Sequence, residues 1–289
     1  MTTHAASTIG ERETALPGWE WPWWRAARHD AMVLPWFILI HTTTFVGLIL
    51  FPVPGWRVVA EALALAWIGG IGTTVCYHRA LSHRALRLNR VAEAILIFFA
   101  MFNGSGSPLN WVANHRLHHA EADTSADISS PVLHGFWWAH LRWLWQAEPP
   151  SIERYCPDLQ GSTYRWGVRI QPGILALSFF SGAWLGLAAF FWLGAMRLVF
   201  ALHAQCFVNS ICHTEPGISA GEDSSCNISW LAIMHLFLGE NWHRNHHARP
   251  GLAHLGWRWW QLDAGYVVIR GLEMTGLVSE VRRSRKREA

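Results

Sequence analysis

The chain has 289 residues, 51% of them hydrophobic and only 15% charged, with a formal net charge of +3. That balance excludes the strongly basic footprint of a nucleic-acid-binding protein. A charged fraction well below the usual quarter, with positive mean hydropathy, also points away from an ordinary soluble enzyme.

Residues 1–30 carry acidic side chains and no short apolar segment, so we expect an N-terminal cytosolic or interfacial segment and no cleavable signal peptide. Residues 31–51 contain no Asp, Glu, Lys or Arg, and a helix of that length crosses a hydrocarbon core of about 30 Å. A turn at Pro52, Pro54 and Gly55 precedes a second run, 58–77, interrupted only by Glu61. The apolar stretch 94–102 reaches only about 14 Å as a helix, so it reads as interfacial or re-entrant. The tryptophan-rich stretch 137–145 suits the lipid headgroup level better than a tunnel wall. Residues 170–209 have Arg197 as their one full charge. They are long enough for two crossings with a turn near Gly182–Gly186, and Arg197 must then face protein or water. Five cysteines without a CxxC read as reduced, buried thiols. The tail 282–289 is basic, suited to anionic lipid. The expected fold is all-α: a four-helix transmembrane bundle with a cytosolic helical cap, one membrane domain over residues 31–281.

Eight of the 17 histidines fall in three clusters: His78-Arg-Ala-Leu-Ser-His83, His115-Arg-Leu-His118-His119 and His243-Arg-Asn-His246-His247. Imidazole ligates iron, zinc and copper. On an α-helix i and i+4 share a face, so His115/His119 and His243/His247 are chelating pairs. The neighbouring His118 or His246 points about 100° away, so one HxxHH can serve two metals. Two copies suit a dinuclear site. His78 and His83 are five apart and not on one face of an ideal α-helix, so the helix is expected to end between them.

Clusters that build one site must lie on one side of the membrane. Segments 31–51 and 58–77 go out and back, 94–102 does not cross, and 170–209 crosses twice. Arg79, Arg84, Arg87, Arg90, Arg116 and the tail lie on the site side, whereas the first opposite loop offers only Arg57. The positive-inside rule then makes the site and both termini cytoplasmic, in the cell's inner membrane. Only Glu240-Asn-Trp-His243 has the Glu-x-x-His form, too few for a carboxylate di-iron site. HExxH is absent, which leaves zinc-protease chemistry without support. A histidine-rich di-iron centre that activates O₂ is the reading these residues favour.

With these motifs the chain resembles the membrane fatty acid desaturase family, most closely its acyl-CoA Δ9-desaturase branch in the shorter bacterial form. The likeness runs over about residues 31–281, through HRALSHR (78–84), NWVANHRLHH (110–119), FVNSICHT (207–214), GENWHRNHH (239–247) and RWWQLD (258–263). The resemblance implies two iron ions and nine ligands: His78, His83, His115, His118, His119, His213, His243, His246 and His247. It adds Asn209 acting through water, with Asn209 and His213 at i and i+4 on one helical face. Glu240, Asp123 and Asp127 read either as carboxylates that orient imidazoles or as ordinary salt bridges and caps. The family implies desaturation of a fatty acyl substrate with O₂, in contact with membrane lipid. Electrons would come from a separate donor such as a ferredoxin and its reductase.

Some positions depart from the family. Ser125-Ala-Asp127-Ile-Ser129 stands where a His-Ala-Asp-Pro-His run is common. Ala113, Asn114, Gln146, Ala147 and Glu148 stand where animal enzymes carry basic or charged coenzyme A contacts. The acyl carrier is thus open between CoA, a carrier protein and a lipid. A hydroxylase or acetylenase on the same scaffold is an alternative. A bis-histidine haem electron-transfer protein or a metal transporter would place its ligands at mid-membrane. His41, His134, His140, His203, His235 and His254 read as packing or hydrogen-bonding residues, and His4 and His29 as facing solvent or headgroups. Gly69, Gly70 and Gly72 allow either close helix packing or the closed end of an alkyl tunnel.

Overall fold

The computed structural model describes residues 21–27, 31–219 and 221–284. His4, His29, Arg285, Lys286 and Arg287 lie outside them. The described chain is mostly helical, with one two-stranded ribbon in which β1 (Arg87–Leu88) pairs antiparallel with β2 (Val278–Ser279).

Among the described residues, three helices are long and apolar enough to cross a membrane: α1 (Val33–Leu50), α2 (Trp56–Ser82) and a later helix, Leu187–Ile211. Four were expected. The exception lies in residues 170–209, where the turn does fall at 180–186 but the first half belongs to a helix, Ser162–Phe179. That helix begins in polar sequence, with Arg165 and Arg169, and carries Pro172 inside it, so its apolar part is short. In chain order the longer elements are α1, α2, α3 (Arg90–Phe102), α4 (Pro108–Glu121), α5 (Ser162–Phe179), α6 (Leu187–Ile211), α7 (His243–Ala248) and α8 (Ala264–Met274).

Small residues set how closely these helices approach. A Cβ on Gly72 would lie 2.5 Å from the Leu96 carbonyl oxygen and 2.6 Å from the Ala100 nitrogen, so α2 rides directly on the backbone of α3. A Cβ on Gly69 would strike the Asn103 side chain at 2.4 Å. Both glycines therefore serve packing, whereas Gly70 meets only the flexible end of Leu238. A Cβ on Gly194 would lie 2.1 Å from the Phe179 carbonyl, which seats the end of α5 on α6.

Arg197 is 2% exposed and faces protein, as its place in an apolar helix demands. Its guanidinium donates to the carbonyls of Leu193 (2.7 Å) and Phe102 (3.2 Å), to Asn103 Oδ1 (3.3 Å) and to the Ser178 hydroxyl. It ties the carbonyl ends of α3 and α5 to α6.

Helix α3 has only 13 residues, about 20 Å, short of the length of a crossing. Asn89 caps it by accepting from the Ala92 amide. Ser107 caps α4 from the Asn110 amide, with Pro108 opening the first turn.

In the tryptophan-rich stretch, two indoles face protein. Trp138 and Trp145 are buried, and their indoles donate to Ile128 O and Trp23 O; only Trp137 is strongly exposed. Gln146 donates to Pro22 O and Arg25 O. The stretch is the floor on which the segment 21–27 is fastened. All five cysteines are free and buried.

Candidate metal centre

Helix α2 runs on past the first histidine of its motif to Ser82, with His83 as its cap. Its last eleven residues, Gly72–Ser82, form a π-helix, and the His83 amide donates to the His78 carbonyl at 3.2 Å, an i to i+5 bond. The wider turn brings residues five apart together, and the His78 and His83 rings lie 5.2 Å apart. The helix ends between the two as expected, but a change of helix type, absent from the sequence reading, makes them neighbours.

On α4 the expected geometry holds. The rings of His115 and His119 are 4.6 Å apart and that of His118 turns away. Helix α7 repeats the pattern, with 4.5 Å between His243 and His247. His213 arrives differently. Helix α6 ends at Ile211 with Cys212 as its cap, so His213 sits beyond the last turn and is not one helical step from Asn209. Asn209 is half-buried on α6, with no side-chain hydrogen bond among the described residues.

The nine histidines sort into two adjoining sets. His78, His83, His115, His119 and His246 form one; His118, His213, His243 and His247 form the other. Within each set the candidate ligand atoms all lie within 4.8 Å of one another. The split is the one that the 100° offset demands, with His118 and His246 each leaving its helix partners for the other set.

Four imidazoles have a carboxylate on Nδ1. Glu240 meets His78 at 2.8 Å, Asp127 meets His118 at 2.9 Å, Asp123 meets His213 at 3.1 Å and Asp223 meets His247 at 3.0 Å. Each carboxylate is held in turn. Asp123 accepts from the Ser130 and Ser224 hydroxyls, Asp127 from the Ser129 and Asp123 amides, and Glu240 from Thr74. A carboxylate only accepts, so each of these Nδ1 atoms carries the proton and Nε2 presents its lone pair.

The Nε2 atoms then face one another: His78 to His246 at 3.0 Å, His119 to His246 at 2.8 Å, His83 to His115 at 2.8 Å, His118 to His213 and His213 to His243 at 3.0 Å. His118 and His213 both carry the proton on Nδ1, so their Nε2 lone pairs point at each other in a buried place, an arrangement that a cation between them relieves. This donor set fits transition-metal ions with a preference for imidazole.

The electrostatics agree. Burial, and then the neighbouring imidazoles, hold His83, His115, His119, His243 and His246 well below the usual imidazole range. Burial brings His247 down to about 4. Burial also works to lower His118, but the charge and hydrogen bond of Asp127 reverse it and its pKa is raised. Burial works to raise Glu240, yet the adjoining His78 and Arg79 take it down to about 2.

The match of the whole chain to known proteins is consistent with this centre. Residues 54–277 fit the family model described as fatty acid desaturase. The chain belongs to the fatty acid desaturase family. It is 31% identical over 281 residues to Delta-9 acyl-lipid desaturase 1 of Arabidopsis thaliana, covering 95% of this chain and 88% of that protein. It is 32% identical over 243 residues to the sn-1 stearoyl-lipid 9-desaturase of Anabaena variabilis, covering 81% and 87%. It is 33% identical over 225 residues to the icosanoyl-CoA 5-desaturase of Limnanthes douglasii, covering 74% and 62%. Membership makes the chain a membrane oxidoreductase of lipid metabolism, and its relatives' names include both lipid and CoA carriers.

Sequence reasoning missed three partners. Asp223 lies in a loop outside every histidine motif, and no spacing rule reaches it. Arg79, the second residue of HRALSHR, is 1% exposed and bonds Asp263 at 2.8 and 3.1 Å and the Leu238 and Ala253 carbonyls. Two of the quoted motifs, HRALSHR and RWWQLD, thus meet in one ion pair. The remaining histidines have ordinary partners. His41, His203 and His140 hydrogen-bond in series at 3.1 and 2.8 Å, and His235 bonds the Ala204 carbonyl. His134 packs near Trp138, and His254 near Tyr266.

Proposed function

We propose that this chain is an O₂-dependent di-iron desaturase that introduces a double bond into a fatty acyl chain. The two adjoining sets of facing Nε2 atoms support the reading most strongly. One iron would be held by His78, His83, His115, His119 and His246, and the other by His118, His213, His243 and His247, with Asn209 contributing through water. Bound iron supplies the O₂ activation that removes hydrogen from an unactivated methylene. The overall reaction takes –CH₂–CH₂–, O₂, two electrons and two protons to –CH=CH– and two waters. The electrons come from a separate donor such as a ferredoxin and its reductase.

The protein's own residues supply position. Glu240, Asp127, Asp123 and Asp223 fix ring tautomer and direction, so that the site is built before any ion arrives. Arg79, at the end of α2, holds the loop ahead of α7 through the Leu238 carbonyl and the start of α8 through Asp263. Burial favours the neutral form of His83, His115, His119, His243 and His246, which keeps their lone pairs for ligation.

The same geometry favours four crossings. The histidines of α2, α4, α7 and the end of α6 meet at one place, yet α6 starts a full membrane thickness away at Leu187. The chain leaving α4 must reach that far end, and α5 is the segment that takes it there. The arginines beside the histidines favour a cytoplasmic site in the cell's inner membrane.

The test is product mass. Iron-loaded protein with reductant, O₂ and a stearoyl-bearing glycerolipid should give acyl chains lighter by two hydrogens. Chains heavier by one oxygen would establish the hydroxylase instead.

A further inference from the structure

Beside α7 and α8 lies a cleft of about 410 Å³ that the metal centre does not use. Arg249, Arg258 and Arg283 line it. Among the described residues two acids stand near. Asp263 lines the cleft but is committed to Arg79 and to the Leu255 and Tyr266 amides. Glu273 is shared by Arg270 and Arg283. Arg258 is exposed and makes no side-chain hydrogen bond or ion pair among the described residues. Arg258 thus offers the cleft a guanidinium with no counter-charge among the described residues, and its fork suits a phosphate.

The surroundings say where that phosphate resides. Trp259 is 90% exposed and Val267 69%, with Leu262 exposed between them. The Ala264 amide bonds the Phe237 carbonyl at 2.8 Å, which joins this patch to a second one made by Trp230, Ile233 and Phe237. An apolar surface of this extent does not face water.

Two contacts place it at bilayer depth. His235 Nε2 bonds the carbonyl of Ala204 at 2.6 Å, seven residues or about 10 Å before the end of α6. Leu238 abuts Gly70, well inside α2. The 230–238 segment thus lies alongside two membrane-length helices, inside their ends, and the arginine cleft opens at the rim of that apolar face.

We propose that the cleft binds the phosphate of an anionic glycerophospholipid of the surrounding bilayer, with Trp259, Leu262 and Val267 seated among its upper acyl carbons. Indoles at the boundary and arginines at headgroup level are the side chains such a lipid requires. The inference does not depend on the reaction the metal centre performs. Through Asp263 to Arg79, and Gln261 to Asn245 at 3.1 Å, the cleft wall is continuous with the histidine helices.

The purified full chain, in detergent, is titrated with phosphatidylglycerol or phosphatidylcholine of identical acyl chains. Retained lipid is read by native mass spectrometry and stability by the thermal midpoint. We expect one phosphatidylglycerol to be retained in preference to phosphatidylcholine and to raise the midpoint. R258Q/R283Q should weaken phosphatidylglycerol binding about 30-fold, from roughly a factor of five per arginine at a membrane surface. Metal content should be unchanged. The exposed pair R154Q/R165Q should bind phosphatidylglycerol like the unaltered chain. Equal retention of the two lipids, or equal loss with R154Q/R165Q, overturns the proposal. So does full displacement by glycerol 3-phosphate at the lipid's own concentration, which would make this a site for free anions. Loss of binding to an acidic soluble protein in R258Q/R283Q, with lipid retention intact, would make it a protein-docking surface and likewise overturn it.

Discussion

Replacing Asp223 by Asn separates an orienting carboxylate from an incidental salt bridge. Asp223 reaches His247 Nδ1 at 3.0 Å with a side chain 42% exposed, and its other oxygen takes the Ser225 amide at 2.9 Å. An amide fits the same space and its carbonyl still accepts from Nδ1–H, but its NH2 then faces the Ser225 amide, so the charge and that one hydrogen bond are lost in a partly hydrated place. Asp127 is the buried counterpart, at 0% side-chain exposure, and it accepts from His118, Ser129 and the Asp123 amide. Removing an orienting partner of this kind typically costs about 10- to 100-fold in metal affinity. Exposure and the retained acceptor put D223N near about 10-fold, and burial puts D127N near about 100-fold. Both act on the four-histidine set, so metal content after limited chelation should fall from two ions per chain towards one, further for D127N. Glu240→Gln, whose carboxylate serves His78 in the five-histidine set, should lose the other ion. The assay is elemental analysis of purified protein after graded chelation. If D223N and D127N keep both ions as firmly as the unaltered chain, the carboxylates do not orient ligands and the reasoning fails.

Other predictions follow from packing, topology and charge. Gly72→Leu forces a side chain into the α3 backbone and should destabilise the protein by about 1–3 kcal/mol, with equal loss of activity on all chain lengths. Gly70→Ala, which meets only Leu238 Cδ1, should be tolerated; a Gly72 variant that merely shortens the preferred chain would restore the tunnel reading. Cysteines introduced at Val53 and Trp184, both exposed at helix turns, should be labelled from one side of the membrane and one at Ser125 from the other. Labelling of Trp184→Cys together with Ser125→Cys would remove α5 as a crossing. In metal-free protein, the imidazoles lowered by burial are neutral when folded but titrate near their ordinary range when unfolded. The unfolded chain therefore binds more protons as pH falls. Their stabilising contribution, complete above about pH 6.5, should fall away below it, partly offset by His118. A thermal midpoint that stays level from pH 7 to 5 would contradict this.

The dinuclear partition was legible because it rests on one angle. Residues four apart on α4 and α7 stay together on one face, and the histidine about 100° round from them, His118 or His246, goes to the other set. The His78/His83 pair was legible as a ligand pair but not as a shape, because α-helical geometry says nothing of a π-helix eleven residues long. The i, i+4 relation of Asn209 and His213 failed because α6 ends between them, and nothing in FVNSICHT marks that stop. Hydropathy located the apolar stretch 170–209 and its turn. It could not show that the first part continues back through Arg165 and Arg169 into polar sequence. Composition suggested headgroup tryptophans at 137–145, yet Trp138 and Trp145 found backbone carbonyls to bond and were buried. Asp223 was invisible because a loop residue acquires its partner only when distant segments fold together.

The central claim is that the two histidine sets each hold one iron. Anomalous diffraction at the iron edge, on crystals of the iron-loaded chain, addresses it directly. The account predicts two peaks, one enclosed by His78, His83, His115, His119 and His246 and the other by His118, His213, His243 and His247. A single peak shared by both sets, or iron bound outside them, would contradict it.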